Sequence, residues 1–408
     1  MSNTLVTIDM VTKEALRIAH EKCQFIGTTD RQYDDSFAKT GAKIGQTLRV
    51  RKPNQYTRTT GSRIMSVQDQ AETNGSITVA TQDHVDMRFN SAELALSIDE
   101  ISKRYIEPAM AVLVSGIESD YLTYATKATY NVAGVAGTAI SDISVPGKAR
   151  AKLNQFLAPK DNHRYIQMDS LTMAGVVSGS AAYFNPAKDI SEQYREGLVA
   201  RTSMADYYEN ERIWTLTNSD DIIGNTNSDA AVTDGGTTLG IGTDVAQAKQ
   251  TVGSVFTIAG VYACHPETKA AYPFLKQFTI TTTGAANAAI SPAIYLTGAR
   301  KNVVSSTGGT LATTDFNSKA LTFVGNASAS YVQPLMYHKE AFQFVTADLP
   351  LMDDAAKCVR LQEDGLSLRV WQASDIRNDE LLMRIDILYG FAALRPEWAC
   401  RLVGAASS

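Results

Sequence analysis

His20 and Cys23 stand three residues apart, and Cys264 adjoins His265, so each pair offers nitrogen and thiolate donors of the kind zinc takes. Two donors do not close a coordination sphere, and the other histidines, His84, His163 and His338, are scattered. Gly240-Ile241-Gly242 begins like a dinucleotide-binding loop but has no third glycine and no long helix behind it, so it reads as a turn. Asp34-Asp35, Asp220-Asp221 and Asp353-Asp354 could do acid–base work only with separated environments, and they lie in polar stretches suited to caps and turns. There is no G-x-S-x-G elbow and no phosphate-binding loop. The sequence therefore predicts no enzyme: no catalytic residue, no cofactor and no bound metal. One other chemistry is present, ion pairing. Between Leu48 and Ile64 lie Arg49, Arg51, Lys52, Arg58 and Arg63 with no carboxylate among them.

Strand-like alternation must position these cations. Leu48 and Val50 lead into the basic stretch, and Ile77, Val79, Val85, Met87 and Phe89 lead back from it, which predicts a long two-stranded arm. A ribbon of that size with little apolar surface is marginal in water unless another surface supports it. The return limb and the segment just after it carry Asp69, Glu72, Asp83, Asp86, Glu93, Asp99 and Glu100 against Arg88, so one copy's arm could lie on another copy's acidic flank. That is the design of an assembly protein. A solvated loop and a nucleic-acid contact are the competing readings of the arm. The formal net charge of -5 argues against a dedicated nucleic-acid binder, which needs a basic face over most of its contact surface.

The remaining elements read as a mixed α+β chain. Val11, Ala15, Ile18, Ala19 and Cys23 recur at helical spacing over Asp9 to Phe25. Ser97 and Glu100 suit a capping box, Pro108 kinks or restarts the helix, and Val112, Leu113, Gly116, Ile117, Tyr121 and Tyr124 continue it toward Tyr130 as a long spine. A glycine- and alanine-rich connector ends at Pro146, and a helix comes next over Gly147 to Leu157. A strand at Arg164 to Met168, a helix from Ser170 and a helix through Ile190 to Gly197 complete this region. From Thr217 to about Ser330 the chain turns Thr-, Gly-, Ser- and Ala-rich, with short β runs at Ser254 to Ile258, Gln277 to Thr281, Ile290 to Leu296 and Ala320 to Val324. That pattern predicts an inserted β-barrel or sandwich. Strands resume at Ala341 to Thr346, Lys357 to Leu361, Leu366 to Trp371 and Met383 to Phe391.

With 408 residues, 44% of them hydrophobic and 20% charged, the chain has material for two or three globular domains. Four widely spaced cysteines with no CxxC pair read as reduced, buried thiols. No apolar run approaches a membrane span, and nothing near Met1 to Asp9 reads as a secretory signal, so a cytoplasmic site of synthesis is expected. Without such a signal the sequons at Asn74 and Asn326 carry no weight.

Several segments resemble the coat proteins of P22-like tailed bacteriophages, members of the capsid fold first described in phage Hong Kong 97. They are Tyr183-Phe184-Asn185-Pro186, Val255-Phe256-Thr257-Ile258-Ala259-Gly260-Val261, Tyr337-His338-Lys339-Glu340-Ala341-Phe342, and Ile387-Leu388-Tyr389-Gly390 through Ala393-Leu394-Arg395-Pro396-Glu397, in this order along the chain. The resemblance implies an N-terminal arm at 1–46, an extended loop at 47–90, a peripheral domain with the spine helix at 91–145, and an axial domain beginning at 146–216. It further implies an inserted all-β barrel at 217–330 and a return to the axial and peripheral domains at 331–408. On this likeness the chain would be a structural major capsid protein assembling with copies of itself as pentamers and hexamers. The icosahedral shell would enclose double-stranded DNA without sequence-specific binding, in a virion built in the bacterial cytoplasm. A scaffolding protein and a portal would be further partners, no membrane would be involved, and the extended loop of one subunit would overlie its neighbour. A different class stays open: a β-rich surface protein binding a receptor or carbohydrate through the Thr/Gly-rich region, which exposed aromatics on the insert would favour.

Overall fold

The computed structural model describes residues 8–31, 46–61, 65, 67, 73–90, 102–180, 205–219, 231–240, 251–284, 287–351, 357–363, 365–375, 377–378 and 380–405. These fall into two compact units. The first comprises 1–51, 74–121 and 342–394; the second comprises 52–73, 122–341 and 395–408.

In the first unit, β1 (Gln46–Lys52) pairs with β2 (Thr73–Val79) as a two-stranded ribbon. Strand β3 (Thr81–Asn90) belongs instead to a five-stranded sheet with β16 (Phe342–Ala347), β17 (Lys357–Glu363), β18 (Leu366–Asp375) and β19 (Glu380–Ala393). The long β19 organises this sheet. Its residues 380–389 pair antiparallel with β3, while β18 and then β16 pair with successive halves of it. The alternation along β19 places Met383, Ile385, Ile387 and Tyr389 in the core. Asp386, on the intervening face, is buried too, because the Arg369 guanidinium donates to both its oxygens, at 3.0 and 2.5 Å, and Gln82 donates at 3.0 Å.

Helix α1 (Ile8–Lys22) buries Val11, Ala15, Leu16, Ile18 and Ala19, the apolar stripe read from the sequence, and lies against β17 and β18. A single turn, Phe25–Thr28, comes after it, and Glu118 accepts a hydrogen bond from the Phe25 backbone N–H. Glu118 belongs to α2 (Glu107–Ala128), the spine helix, with Pro108 in its first turn where a missing N–H is harmless. Its buried stripe is Met110, Leu113, Val114, Ile117, Tyr121, Leu122 and Ala125. Val112 and Tyr124, assigned to that stripe by sequence spacing, are exposed instead, since they sit off the three- and four-residue steps the buried face takes. The capping box at Ser97 and Glu100 lies outside the described residues.

The second unit holds two sheets. One is mixed, in the order β4 (Val132–Gly134), β20 (Ala399–Val403), β15 (Leu335–His338), β5 (Arg164–Met168) and β6 (Asp206–Glu209), with α3 (Ser144–Gln155) packed on β4, β20 and β15. Helix α4 (Ser170–Ser180) comes after β5, and the Asp169 carboxylate accepts from the Thr172 backbone N–H at 3.0 Å. The second sheet is the insert. It comprises β8 (Gly236–Gly240), β9 (Val255–Cys264), β10 (Ala271–Thr282), β11 (Asn287–Ile294), β12 (Val303–Val304) and β13 (Leu321–Phe323), all antiparallel, in the order β12-β9-β10-β11-β8 with β13 also on β9. Phe256, Ile258, Phe278, Ile280, Ile290 and Phe316 are among the residues of its single core. Among the described residues the ladder is open: β8 is not paired with β12 or β13. A small ribbon, β7 (Thr215–Thr217) with β14 (Ser330–Val332), lies at the ends of the insert. The helix expected at Ile190 to Gly197 and the Tyr183 to Pro186 turn lie outside the described residues.

Candidate intersubunit arm and a buried cation seam

The arm is held at its base by apolar packing. Ile77 and Val79 of β2 are fully buried against Val345, Ala347, Leu349, Leu388 and Ala392, and Val50 of β1 packs on the same cluster. Strand alternation then turns Arg49 and Arg51 away from Val50, and both are exposed. Beyond Lys52, residues 53–61 form no helix or strand, and Arg58 is exposed. Arg63 lies outside the described residues. Neither Arg49, Lys52 nor Arg58 makes an ion pair with a described carboxylate. The same arm exposes Tyr56 (58%), Met65 (86%) and Val67 (79%), three large apolar side chains that the basic composition had overshadowed.

Of the acidic residues on the return limb, Asp69, Glu72, Glu93, Asp99 and Glu100 lie outside the described residues. Asp83 accepts a hydrogen bond from Tyr389 OH at 2.8 Å. Asp86 lies 3.0 Å from His84 and 3.8 Å from Arg384, and Arg88 pairs with Glu380 at 3.1 Å.

A second set of cations escaped the sequence reading. Lys152, Lys276 and Arg401 lie where the insert meets the mixed sheet and α3. Arg401, fully buried on β20, donates to the Gly253 carbonyl and, at 3.0 Å each, to the Lys127 carbonyl and Thr279 Oγ1. Lys276 Nζ sits 4.8 Å and 4.7 Å from the ring centres of Tyr130 and Phe156. Lys152 Nζ lies 5.1 Å over Phe274 and donates to Gln277 Oε1, which also accepts from the Val132 N–H at 3.0 Å. Tyr272 OH donates to the Gln155 carbonyl at 2.8 Å. No described carboxylate forms an ion pair with any of the three cations.

Burial disfavours charge on each of them. It pulls Lys276 down to about 8, lowers Lys152, and lowers Arg401, whose guanidinium nonetheless stays protonated near neutrality. Burial also raises the neighbouring Cys400 thiol to about 12, which leaves it unreactive. Gly253 is required beside this seam: its φ is +97°, and a Cβ there would come within 2.7 Å of the Trp214 ring. The legible signal was a basic residue inside an apolar β run, Phe274-Leu275-Lys276-Gln277-Phe278 and Ala399-Cys400-Arg401-Leu402-Val403.

The pairs considered for chemistry stay inert. His265 Nδ1 accepts from the backbone N–H groups of Glu267 and Thr268 at 3.1 and 3.2 Å, so it closes a turn, and Cys264 is buried with its thiol raised by desolvation. The His20 side chain, both Asp34-Asp35 and Asp220-Asp221, and Asp353-Asp354 lie outside the description. Among the described residues no group of three or more His, Cys, Asp or Glu could hold a metal, and all four cysteines are free.

Residues 214–404 match the family described as P22 coat protein, gene protein 5. No curated protein matches the chain. Among solved structures, one from Mycobacterium phage Che8 has a TM-score of 0.48 at 10% identity, over 93% of this chain and 90% of that one. The mature capsid of bacteriophage PhiM1 gives 0.40 at 11%, over 88% and 81% respectively. A virus-like particle from Pyrococcus furiosus gives 0.38 at 8%, over 97% and 98%.

Proposed function

From the coat-protein region at 214–404 we infer that this chain is a P22-like structural major capsid protein. That region takes in the insert and the strands β14 to β20 that return to both units, so the match covers structural cores and not an isolated loop. On this reading copies associate as pentamers and hexamers in an icosahedral shell around double-stranded DNA, with a scaffolding protein and a portal as partners during assembly in the bacterial cytoplasm. The finer anatomy is proposed on the same footing: N-terminal arm 1–46, extended loop 47–90, peripheral domain 91–145, axial parts 146–216 and 331–408, and an inserted barrel at 217–330, whose β8 edge would have to meet β12 or β13.

The arm is proposed as the intersubunit clamp, through Arg49, Arg51, Lys52, Arg58 and Arg63. Exposed cations on a segment without ladder pairing support this, because charge left in solvent is available to a partner. Single surface ion pairs contribute only about 0–1 kcal/mol, so the contact must be repeated around a closed lattice. The net charge of -5 also suits a container whose lining must let phosphate slide past. The alternative of receptor or carbohydrate binding finds no support: among the described residues the insert has no exposed large aromatic. Among those residues no helix is long and apolar enough to cross a membrane.

Expression of the chain alone and together with its genomic neighbours, then sedimentation and negative-stain microscopy, tests the assignment. Shells or capsomer rings are expected. Monomers under both conditions would refute it.

A further inference from the structure

The outer face of the first unit's sheet carries an open groove of about 360 Å³, lined by Met87, Trp371, Leu382, Met383, Asp86 and Arg384. Trp371, Arg384 and Asp86 stand side by side in the ladder of β18, β19 and β3, so the groove is a feature of the sheet and not of a loop. Leu382 is half-exposed there, and the Trp371 indole N–H is buried without an acceptor. Exposed apolar surface around a concavity marks a contact site.

The arm supplies a matching set of features. Tyr56, Met65 and Val67 are apolar and exposed, and Arg58 is a nearby cation. Strand β3 pairs only with β19 among the described strands, so its outer backbone edge is available to an extended segment. Asp86 at the groove, its side chain 60% exposed, offers the charge that Arg58 lacks. Interfaces draw most of their affinity from a few desolvated apolar anchors, while charges set encounter rate and register.

We propose that the arm of a second copy docks along β3 with Met65 and Val67 anchored in the groove between Trp371 and Leu382. This rests on the reading of the arm as an intersubunit clamp and names its landing site. The cations guide the arm in; the apolar tip holds it.

A photo-crosslinking amino acid placed at Met65 of the full chain, irradiated in assembled shells, should yield covalent dimers whose peptides join position 65 to Leu366–Asp375 or Glu380–Ala393. Crosslinks from intact shells to any other surface, or only within one chain, would overturn the landing site while leaving the clamp standing. Leu382→Glu, with an unchanged circular dichroism spectrum, should raise the protein concentration needed for assembly at least about tenfold; an unchanged threshold would overturn the proposal. Normal shells from a variant with Arg49, Arg51 and Lys52 all reversed in charge would instead remove the clamp reading itself.

Discussion

Arg49 and Arg58 stand in water on the arm, while Lys152, Lys276 and Arg401 are walled in beneath the insert, and neither set has a described carboxylate to pair with. The difference lies in what replaces the counter-ion. On the arm, water solvates the charge at almost no cost, so the cations remain disposable for fold stability and available for a partner. In the seam, carbonyl oxygens and ring faces stand in for both water and carboxylate. Arg401 ties three segments that are distant in sequence, Lys127, Gly253 and Thr279, and Lys276 is held between two rings whose cation–π attraction amounts to about 2 kcal/mol when desolvated. The same residue chemistry is assembly machinery in one place and a structural joint in the other.

The strongest way to break this contrast is at Arg401. Arg401→Met leaves two carbonyls and a hydroxyl buried without their donor, and the second unit should lose about 3–5 kcal/mol in urea unfolding. Arg401→Lys should not restore it, since one ammonium cannot span the three acceptors that a guanidinium fork reaches. A loss under about 1 kcal/mol, the worth of one ordinary hydrogen bond, would show that the seam is not structural.

Lys276 comes next and acts in the opposite direction. Its folded value, about 8, lies below the 10.5 of an ordinary lysine, so the folded state gives up its proton first. Below pH 8 both states hold the proton and the full burial penalty, on the order of 3 kcal/mol less what the two rings offset, is present. Between about pH 8 and 10.5 the unfolded state binds more protons, so this group's contribution to stability rises with pH. Lys276→Met should therefore be as stable as the parent or more so near neutrality, and the advantage should shrink as pH climbs through that window. A parent-to-variant difference independent of pH would place the ammonium in water.

Reversing Arg49, Arg51 and Lys52 together should move fold stability least, within about 0.5 kcal/mol, and leave circular dichroism unchanged. The consequence should appear only in assembly, where shells fail to form. Salt sharpens the point. Raising ionic strength from about 0.1 M to about 1 M shortens the Debye length from about 10 Å to about 3 Å, so assembly by the parent chain should slow in light scattering while the unfolding midpoint of the seam stays put.

Much of the fold was legible because periodicity reports burial on one face. Strand β5 was read to its terminal residues, and the runs at Lys357, Leu366 and Met383 became β17, β18 and β19. The arm's base was legible for the same reason, through Val50, Ile77 and Val79. What failed had two causes. Spacing alone could not orient α2, so Val112 and Tyr124 were set on the wrong face. Polarity also served as a proxy for exposure, which hid Lys276 and Arg401 inside β runs and drew attention from Met65 and Val67 at the tip of a basic arm. A lysine in an apolar strand is a question about its partners, and those partners are non-local.

The pairing of β3 with β19 has a further consequence for how the molecule is made. Phe89 meets Leu381, almost three hundred positions later. On a ribosome delivering the chain from its N-terminus, β3 therefore waits until nearly the whole polypeptide has been synthesised, whereas the mixed sheet's β5 and β6 and the strands β8 to β13 are complete well before. Closing so long a loop is slow, and an unpaired edge is exposed while it lasts. The nascent chain should thus depend on protection during and just after translation, and defects in β19 should surface as aggregation in the cell before they surface as faulty shells.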